Sequence, residues 1–188
     1  EFALSKGLEI TSIDLKKTNF KPEKGSEVIS SQTIRKLLQT GKLEIANSLL
    51  GRNWCITGVV EKGKQKGREI GFPTANVDIR NFLLPPLGVY ITRLRVESHK
   101  SHELKNHWLP SISNIGTKPT VSGENINLET HIININNETS ELNLYGKRVK
   151  VELIKFLRPE KKFNSLSELK SQIEFDTKEA TEFHKRNS

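Results

Sequence analysis

A chain of 188 residues, 34% hydrophobic and 28% charged, carries enough apolar material for one compact core with an attachment. It has no run of the roughly 20 apolar residues that a membrane-spanning helix needs. Thirty Lys and Arg against 22 Asp and Glu give a net charge of +8, a balance that attracts anions such as nucleic acid, an acidic membrane surface or nucleotide phosphates.

The chain opens on Glu1-Phe2-Ala3-Leu4-Ser5-Lys6, without the basic start and apolar run of a signal peptide. It has no methionine, so it reads as a fragment or a processed product. Residues 8–13 have a strand-like texture, and residues 16–25, with Pro22 and Gly25, read as a loop. Ser30 or Ser31 is placed to cap a helix in which Ile34, Leu37 and Leu38 share one face, and Gly41 stops it. A second short helix carries Leu43, Ile45, Ala46, Leu49 and Leu50 and ends at Gly51. Strand-like runs then follow at 54–60, 88–96, 108–115, 128–136 and 148–157, each bounded by turn residues. Cys55, the single cysteine, lies in the first run, reads as core filling and is consistent with a cytoplasmic protein. Several short strands without intervening helices predict an antiparallel barrel. Ser165 and Glu168 have capping-box spacing, and Leu166, Leu169, Ile173, Ala180 and Phe183 predict a closing helix.

Three segments could carry chemistry. The first is the glycine-rich basic run from Lys62 to Asn76, whose backbone could approach a phosphate at Gly63 and Gly67 with Arg68 adding charge. It is not a P-loop, and taken alone it also reads as a solvated hairpin. If residues 73–77 are extended, Thr74 and Asn76 point the same way and offer two neutral oxygens. Magnesium accepts such a pair when phosphates supply the rest of its shell; a locally satisfied turn is the competing reading. The second segment is Leu128-Glu129-Thr130-His131-Ile132. In a strand, Glu129 and His131 share one face, and a carboxylate there could take a hydroxyl proton or could simply meet solvent. The third is Arg158-Pro159-Glu160-Lys161-Lys162-Phe163, which could hold a polar ligand edge or form a charged connection with Phe163 packed under the helix. His99, His102 and His107 mimic a metal cluster without its carboxylates or cysteines, and Asn137-Glu138-Thr139 is a sequon with no sign of secretion.

Taken in order, these segments resemble the riboflavin kinase family. The resemblance rests on Gly67-Arg68-Glu69-Ile70-Gly71-Phe72-Pro73-Thr74-Ala75-Asn76, then Gly88-Val89-Tyr90, Asn114-Ile115-Gly116-Thr117-Lys118-Pro119-Thr120, Leu128-Glu129-Thr130-His131, Leu144-Tyr145-Gly146 and Leu157-Arg158-Pro159-Glu160-Lys161-Lys162-Phe163. It covers residues ~52–184. It implies a mainly β fold: a six-stranded antiparallel barrel with a C-terminal helix. It implies transfer of the ATP γ-phosphate to the riboflavin 5′-hydroxyl to give FMN. Thr74 and Asn76 would contact Mg²⁺ and the ATP phosphates, and Glu129 would be the catalytic base. Gly63, Gly67, Arg68, Ile132 and Tyr145 would lie on the ATP side, and Arg158, Lys161 and Phe163 on the flavin side. Lys62 stands where the family often has His, and residues 132–135 lack its usual acidic-aromatic pair.

Residues 1–51 resemble the end of an FMN adenylyltransferase domain, on Ile29-Ser30-Ser31-Gln32-Thr33-Ile34-Arg35 and Leu49-Leu50-Gly51-Arg52, although Gln32 stands where Thr is usual. Bacterial bifunctional FAD synthetases place that domain directly before the kinase. The division expected is therefore 1–51, a short helical remnant of an α/β nucleotidyltransferase, and 52–188, the kinase. None of the five histidines forms the His-x-Gly-His motif of such adenylyltransferases, so FAD formation is expected only of a longer chain with its N-terminal domain. The partners implied are riboflavin and ATP, with neither nucleic acid nor membrane. A flavin-binding module without catalysis is the alternative. An aromatic content of 6% argues against a nucleic-acid barrel.

Overall fold

The computed structural model describes residues 29–63, 65–97, 107–120, 123–133 and 143–187, together with Lys6, Gly7, Glu9 and Thr11. Helices α1 (Ser31–Gln39) and α2 (Leu43–Leu50) precede strand β1 (Trp54–Glu61). A one-turn helix α3 (Lys66–Glu69) leads to β2 (Ala75–Asp78), and β3 (Gly88–Val96), β4 (Leu109–Thr120), β5 (Gly123–Ile132) and β6 (Arg148–Pro159) follow. Helix α4 (Leu166–Arg186) closes the chain. The expected strands at 8–13 and beyond residue 133, His99, His102 and the Asn137 sequon lie wholly or largely outside the described residues.

The six strands close into a barrel in the order β1-β2-β5-β4-β3-β6, with every neighbouring pair antiparallel. Strand alternation sends one set of side chains inward. Ile56, Val60, Val77, Tyr90, Leu94, Ile115, Leu128, Val149, Val151 and Leu153 fill the interior. Among them lies a buried string of hydroxyls, in which Thr92 bonds Ser111 and Ser113, and Ser113 bonds Thr130, each at 2.8 Å. On the outer face Val89, Ile91 and Ile112 form a second apolar patch with Ala180 of α4, and Leu157 and Phe183 pack against it. That stripe is why α4 lies across the barrel wall.

Two strands show what the sequence left open. The stretch between the strand-like runs at 54–60 and 88–96 contains β2, whose four residues are too few for a period to show. The alternation of β5 turns Leu128 and Thr130 into the core, so Glu129 and His131 point outward and not into the barrel.

The helix ends follow local chemistry. Ser30 caps α1 by accepting from Thr33 N at 3.1 Å, and Ser165 caps α4 by accepting from Glu168 N at 3.1 Å. The Glu168 carboxylate reaches back to Asn164 N rather than closing the box on Ser165. Gly51 ends α2 with φ 68°, a left-handed conformation that glycine adopts without a Cβ penalty.

The α1–α2 pair shares the barrel's core: Leu38, Leu43 and Ala46 are fully buried in the same cluster as Ile56 and Leu153. The buried Asn47 side chain fastens it there. Its Nδ2 donates to Leu153 O at 2.9 Å, and its Oδ1 accepts from Trp54 N at 2.7 Å. Asn47→Ala would strip two backbone groups of their partner, at about 1–3 kcal/mol for each group left buried and unpaired. Urea unfolding should therefore show a loss of about 2 kcal/mol or more; a loss under about 0.5 kcal/mol would mean that apolar packing alone holds the helices.

Candidate functional site

One register row crosses all six strands on the outer face of the barrel. Glu61 pairs with Asn76, Asn76 with Glu129, and Glu129 with Asn114. Asn114 pairs with Val89, and Val89 with Arg158. Residues directly opposite on antiparallel strands project from the same face with Cβ atoms about 5 Å apart. The row thus places two carboxamides on either side of one carboxylate. A register shift between β3 and β6 at Val89/Tyr90 lets Arg158 join it.

Above this row lies a cavity of about 550 Å³. Its floor is the barrel face at Val89, Ile112, Asn114, Glu129 and His131. One wall is the segment 67–74, through Gly67, Glu69, Ile70, Phe72 and Thr74. The opposite wall is the 158–163 arm with Leu166, Leu169, Ile173 and Asp176 of α4. Apolar atoms supply most of the cavity's surface, with Glu69, Glu129, Glu160 and Asp176 set against Arg158 and Lys161.

The segment 67–74 is held in two ways. Phe72 N donates to Gly67 O at 2.7 Å, and a Cβ on Gly67 would collide with the Phe72 carbonyl, so glycine is required there. His131 Nδ1 donates to Pro73 O at 2.9 Å, and the Phe72 ring stands edge-on to the imidazole with centroids 5.3 Å apart. Burial holds the His131 pKa below its ordinary value, against the opposing pull of that hydrogen bond, so the ring is neutral at pH 7.

The expected site residues separate into groups. Gly67, Thr74, Glu129, Arg158, Lys161 and Phe163 all line the cavity. Asn76 is buried just behind it, with Gly63 so close that a Cβ there would lie 2.6 Å from Asn76 Nδ2. Arg68 is exposed on α3, outside the lining. Ile132 packs against the barrel core, and Tyr145, 39% exposed, sits in the turn where Gly146 N donates to Val60 O at 2.9 Å; neither reaches the cavity.

Arg158 is already committed. Its Nε and Nη2 grip the Asp176 carboxylate at 2.9 and 2.6 Å, and Asp176 is 4% exposed. Gln172 Nε2 adds a bond to the same carboxylate at 2.8 Å. Arg158 and Lys161 also approach the Phe163 ring, at 5.9 and 5.4 Å from its centroid. The pair therefore clamps α4 to the barrel, and Arg158 shapes the cavity from its edge.

Sequence reasoning passed over two residues here. Asp176 lies 18 positions after Arg158, with no local pattern to join them. Asn127 stands two residues before Glu129 on the same strand face, which was a usable signal; its Nδ2 donates to Glu129 Oε1 at 3.2 Å and to Asn76 Oδ1 at 3.1 Å.

Residues 50–184 match the family model described as flavokinase, riboflavin kinase. Over 159 residues the chain is 41% identical to the bifunctional riboflavin kinase/FMN adenylyltransferase of Escherichia coli strain K12, covering 85% of this chain and 47% of that protein. The Bacillus subtilis strain 168 protein of the same name is also 41% identical over 159 residues, covering 82% and 46%. A crystal structure from Streptococcus pneumoniae, described as a macrolide-efflux protein, matches with a TM-score of 0.67 at 28% identity, covering 81% of this chain and 46% of that one. The chain spans about half the length of the curated relatives it matches, and that half is C-terminal. No helix among the described residues is long and apolar enough to cross a membrane.

Two outcomes follow from the geometry. Asp176→Ala should destabilise the fold by about 3 kcal/mol, since it leaves a largely buried guanidinium unpaired; urea unfolding measures it, and a change below 1 kcal/mol would deny the clamp. The depressed pKa of His131 means that the unfolded chain takes up a proton near pH 6.5 before the folded chain does. Stability should then fall as pH drops from about 6.5 toward the lowered value, and stay flat above about pH 6.5. Melting curves at pH 7.5 and 5.5 should show a smaller acid loss for His131→Gln than for the wild type; equal losses would move the sensitivity to another group such as His184, whose pKa burial also lowers.

Proposed function

The chain belongs to the riboflavin kinase family, and we propose that it transfers the γ-phosphate of ATP to the 5′-hydroxyl of riboflavin, giving FMN and ADP. The observation that carries this reading is the pairing of Asn76 with Glu129 on one outward row beside a cavity of about 550 Å³. Phosphoryl transfer asks for positioning and charge compensation more than for covalent chemistry, and a metal ligand beside a base meets that need.

Glu129 is the group suited to accept the hydroxyl proton. It lines the cavity, and Asn127 occupies only its Oε1, leaving Oε2 to receive the hydroxyl of a bound acceptor. Taking that proton as the oxygen attacks would keep the nucleophile from carrying a full charge next to phosphate. Thr74 and Asn76 suit magnesium, since both offer neutral oxygens, and Asn76 Oδ1 keeps a lone pair beyond its bond from Asn127. Among the described residues no group of three or more His, Cys, Asp and Glu could hold a metal, so substrate phosphates and water would complete the shell. Thr74 and Asn76 would hold a bound Mg²⁺, whose chemistry there would be to offset phosphate charge. The backbone at Gly63 and Gly67 and the Arg68 guanidinium would stand along the nucleotide, with Ile132 and Tyr145 on the nucleotide side outside the cavity. The apolar lining at Val89, Ile112, Leu169 and Ile173 fits a flat ring system, with Lys161 and Phe163 at its edge and Arg158 holding the wall in place. Residues 1–51 form, in this reading, the end of an adenylyltransferase domain, and FAD formation belongs to a longer chain.

Incubating the protein with riboflavin and Mg·ATP, then separating the flavins, should give FMN and no FAD. Glu129→Gln should lower kcat by at least ~10²-fold with riboflavin binding kept, and Asn76→Ala should also be impaired. Riboflavin binding without ATP consumption would make the chain a binding module; near-normal turnover by Glu129→Gln would remove that residue from the base role.

A further inference from the structure

The contacts of Asn127 point to a role beyond packing. It lies on β5 with its side chain on the outward face, one strand step from Glu129. A carboxamide nitrogen carries two hydrogens, and here both are used on acceptors of separate function. One goes to Glu129 Oε1 at 3.2 Å, and the other to Asn76 Oδ1 at 3.1 Å on the neighbouring strand. With that bond made, the Asn76 amide has its oxygen toward Asn127, while the whole amide group packs against Gly63, where a Cβ would lie 2.6 Å from Nδ2 and 2.9 Å from Oδ1. The bond from Asn127 therefore selects one of the two flipped states of the Asn76 amide, and Gly63 leaves that amide its room.

Resting on the kinase function proposed above, we infer that Asn127 is a positioning residue that couples the candidate metal ligand Asn76 to the candidate base Glu129. One NH₂ group fixes the direction in which the single amide oxygen of Asn76 points and which oxygen of Glu129 stays open to the acceptor hydroxyl. It also keeps both oxygens at a set separation across the β2–β5 pair. Without it the carboxylate is free to rotate, and the Asn76 amide loses the bond that selects its orientation. Outer partners that orient a metal ligand typically influence metal affinity or activity by 10–100-fold, and a carboxylate held by a donor has less freedom to lose when substrate binds.

Asn127→Leu keeps the shape and removes both donors, while Asn127→Gln keeps the donors one methylene farther out. Three quantities separate a positioning role from a purely structural one: kcat, the riboflavin KM, and the affinity for Mn²⁺ with ADP read by water-proton relaxation without turnover. Asn127→Leu should lower kcat at least ~10-fold and weaken Mn²⁺·ADP binding by a similar factor, at a riboflavin KM within ~2-fold of wild type. Asn127→Gln should recover part of both losses. Should Asn127→Leu fail to fold, Asn127→Ser, which keeps one donor, carries the same test with smaller expected losses. Unchanged kcat and Mn²⁺·ADP affinity would overturn the role of Asn127 while leaving the kinase function intact. A wild-type protein that forms no FMN would overturn the function, and a Mn²⁺·ADP affinity that still depended on residue 127 would leave the coupling to Asn76 standing.

Discussion

Barrel closure is the constraint on which the rest of this molecule depends. A closed antiparallel sheet has no free edge, so each strand's register is fixed by neighbours on both sides. A slip of one residue would turn Glu129 inward and Leu128 outward, a cost that the core cannot absorb. Glu129 and Asn114 face each other across the β4–β5 hairpin, and ring closure brings Asn76 beside them from β2, far away in sequence. The candidate site is therefore a property of the whole ring of hydrogen bonds, rather than of any one loop.

The two faces of the sheet are stabilised by different physics. Inside, aliphatic side chains surround four hydroxyls that satisfy one another, so the polar groups cost little there. Outside, β3 and β4 carry an apolar stripe that α4 covers, and a near-buried ion pair pins the helix in place. A cavity arises between these layers because α4 is held at its clamp and its apolar contacts, while the segment 67–74 is held by His131 and Phe72 on the other side.

What was legible in the sequence was local. Ser30, Ser165 and Gly51 announced helix ends because capping chemistry acts within a few residues. Strands β1, β3 and β6 showed as strand-like runs bounded by turn residues. The short β2 was hidden among glycine and proline, and its pairing with β5 rests on closure. Glu129 could be paired with His131 on one face, but which face met the core depended on the other strands. Arg158 drew notice as a ligand contact by its resemblance, whereas its grip on Asp176 is a tertiary fact with no sequence period behind it. Asn127 was visible as a same-face neighbour of Glu129, yet its second acceptor sits on another strand.

The shared core of α1, α2 and the barrel has a consequence for anyone who divides this chain. The change of texture near residue 52 invites a cut there, but that line passes through one continuous apolar body in which Leu38, Leu43 and Ala46 are completely enclosed. Severing the helices would bare the barrel surface that they cover and leave Leu153 O and Trp54 N without the Asn47 amide. An exposed greasy patch beside unsatisfied strand groups is the usual recipe for self-association. The smallest soluble version of this protein should thus begin upstream of Ser30, and a barrel trimmed to its strands would be expected to gather into aggregates.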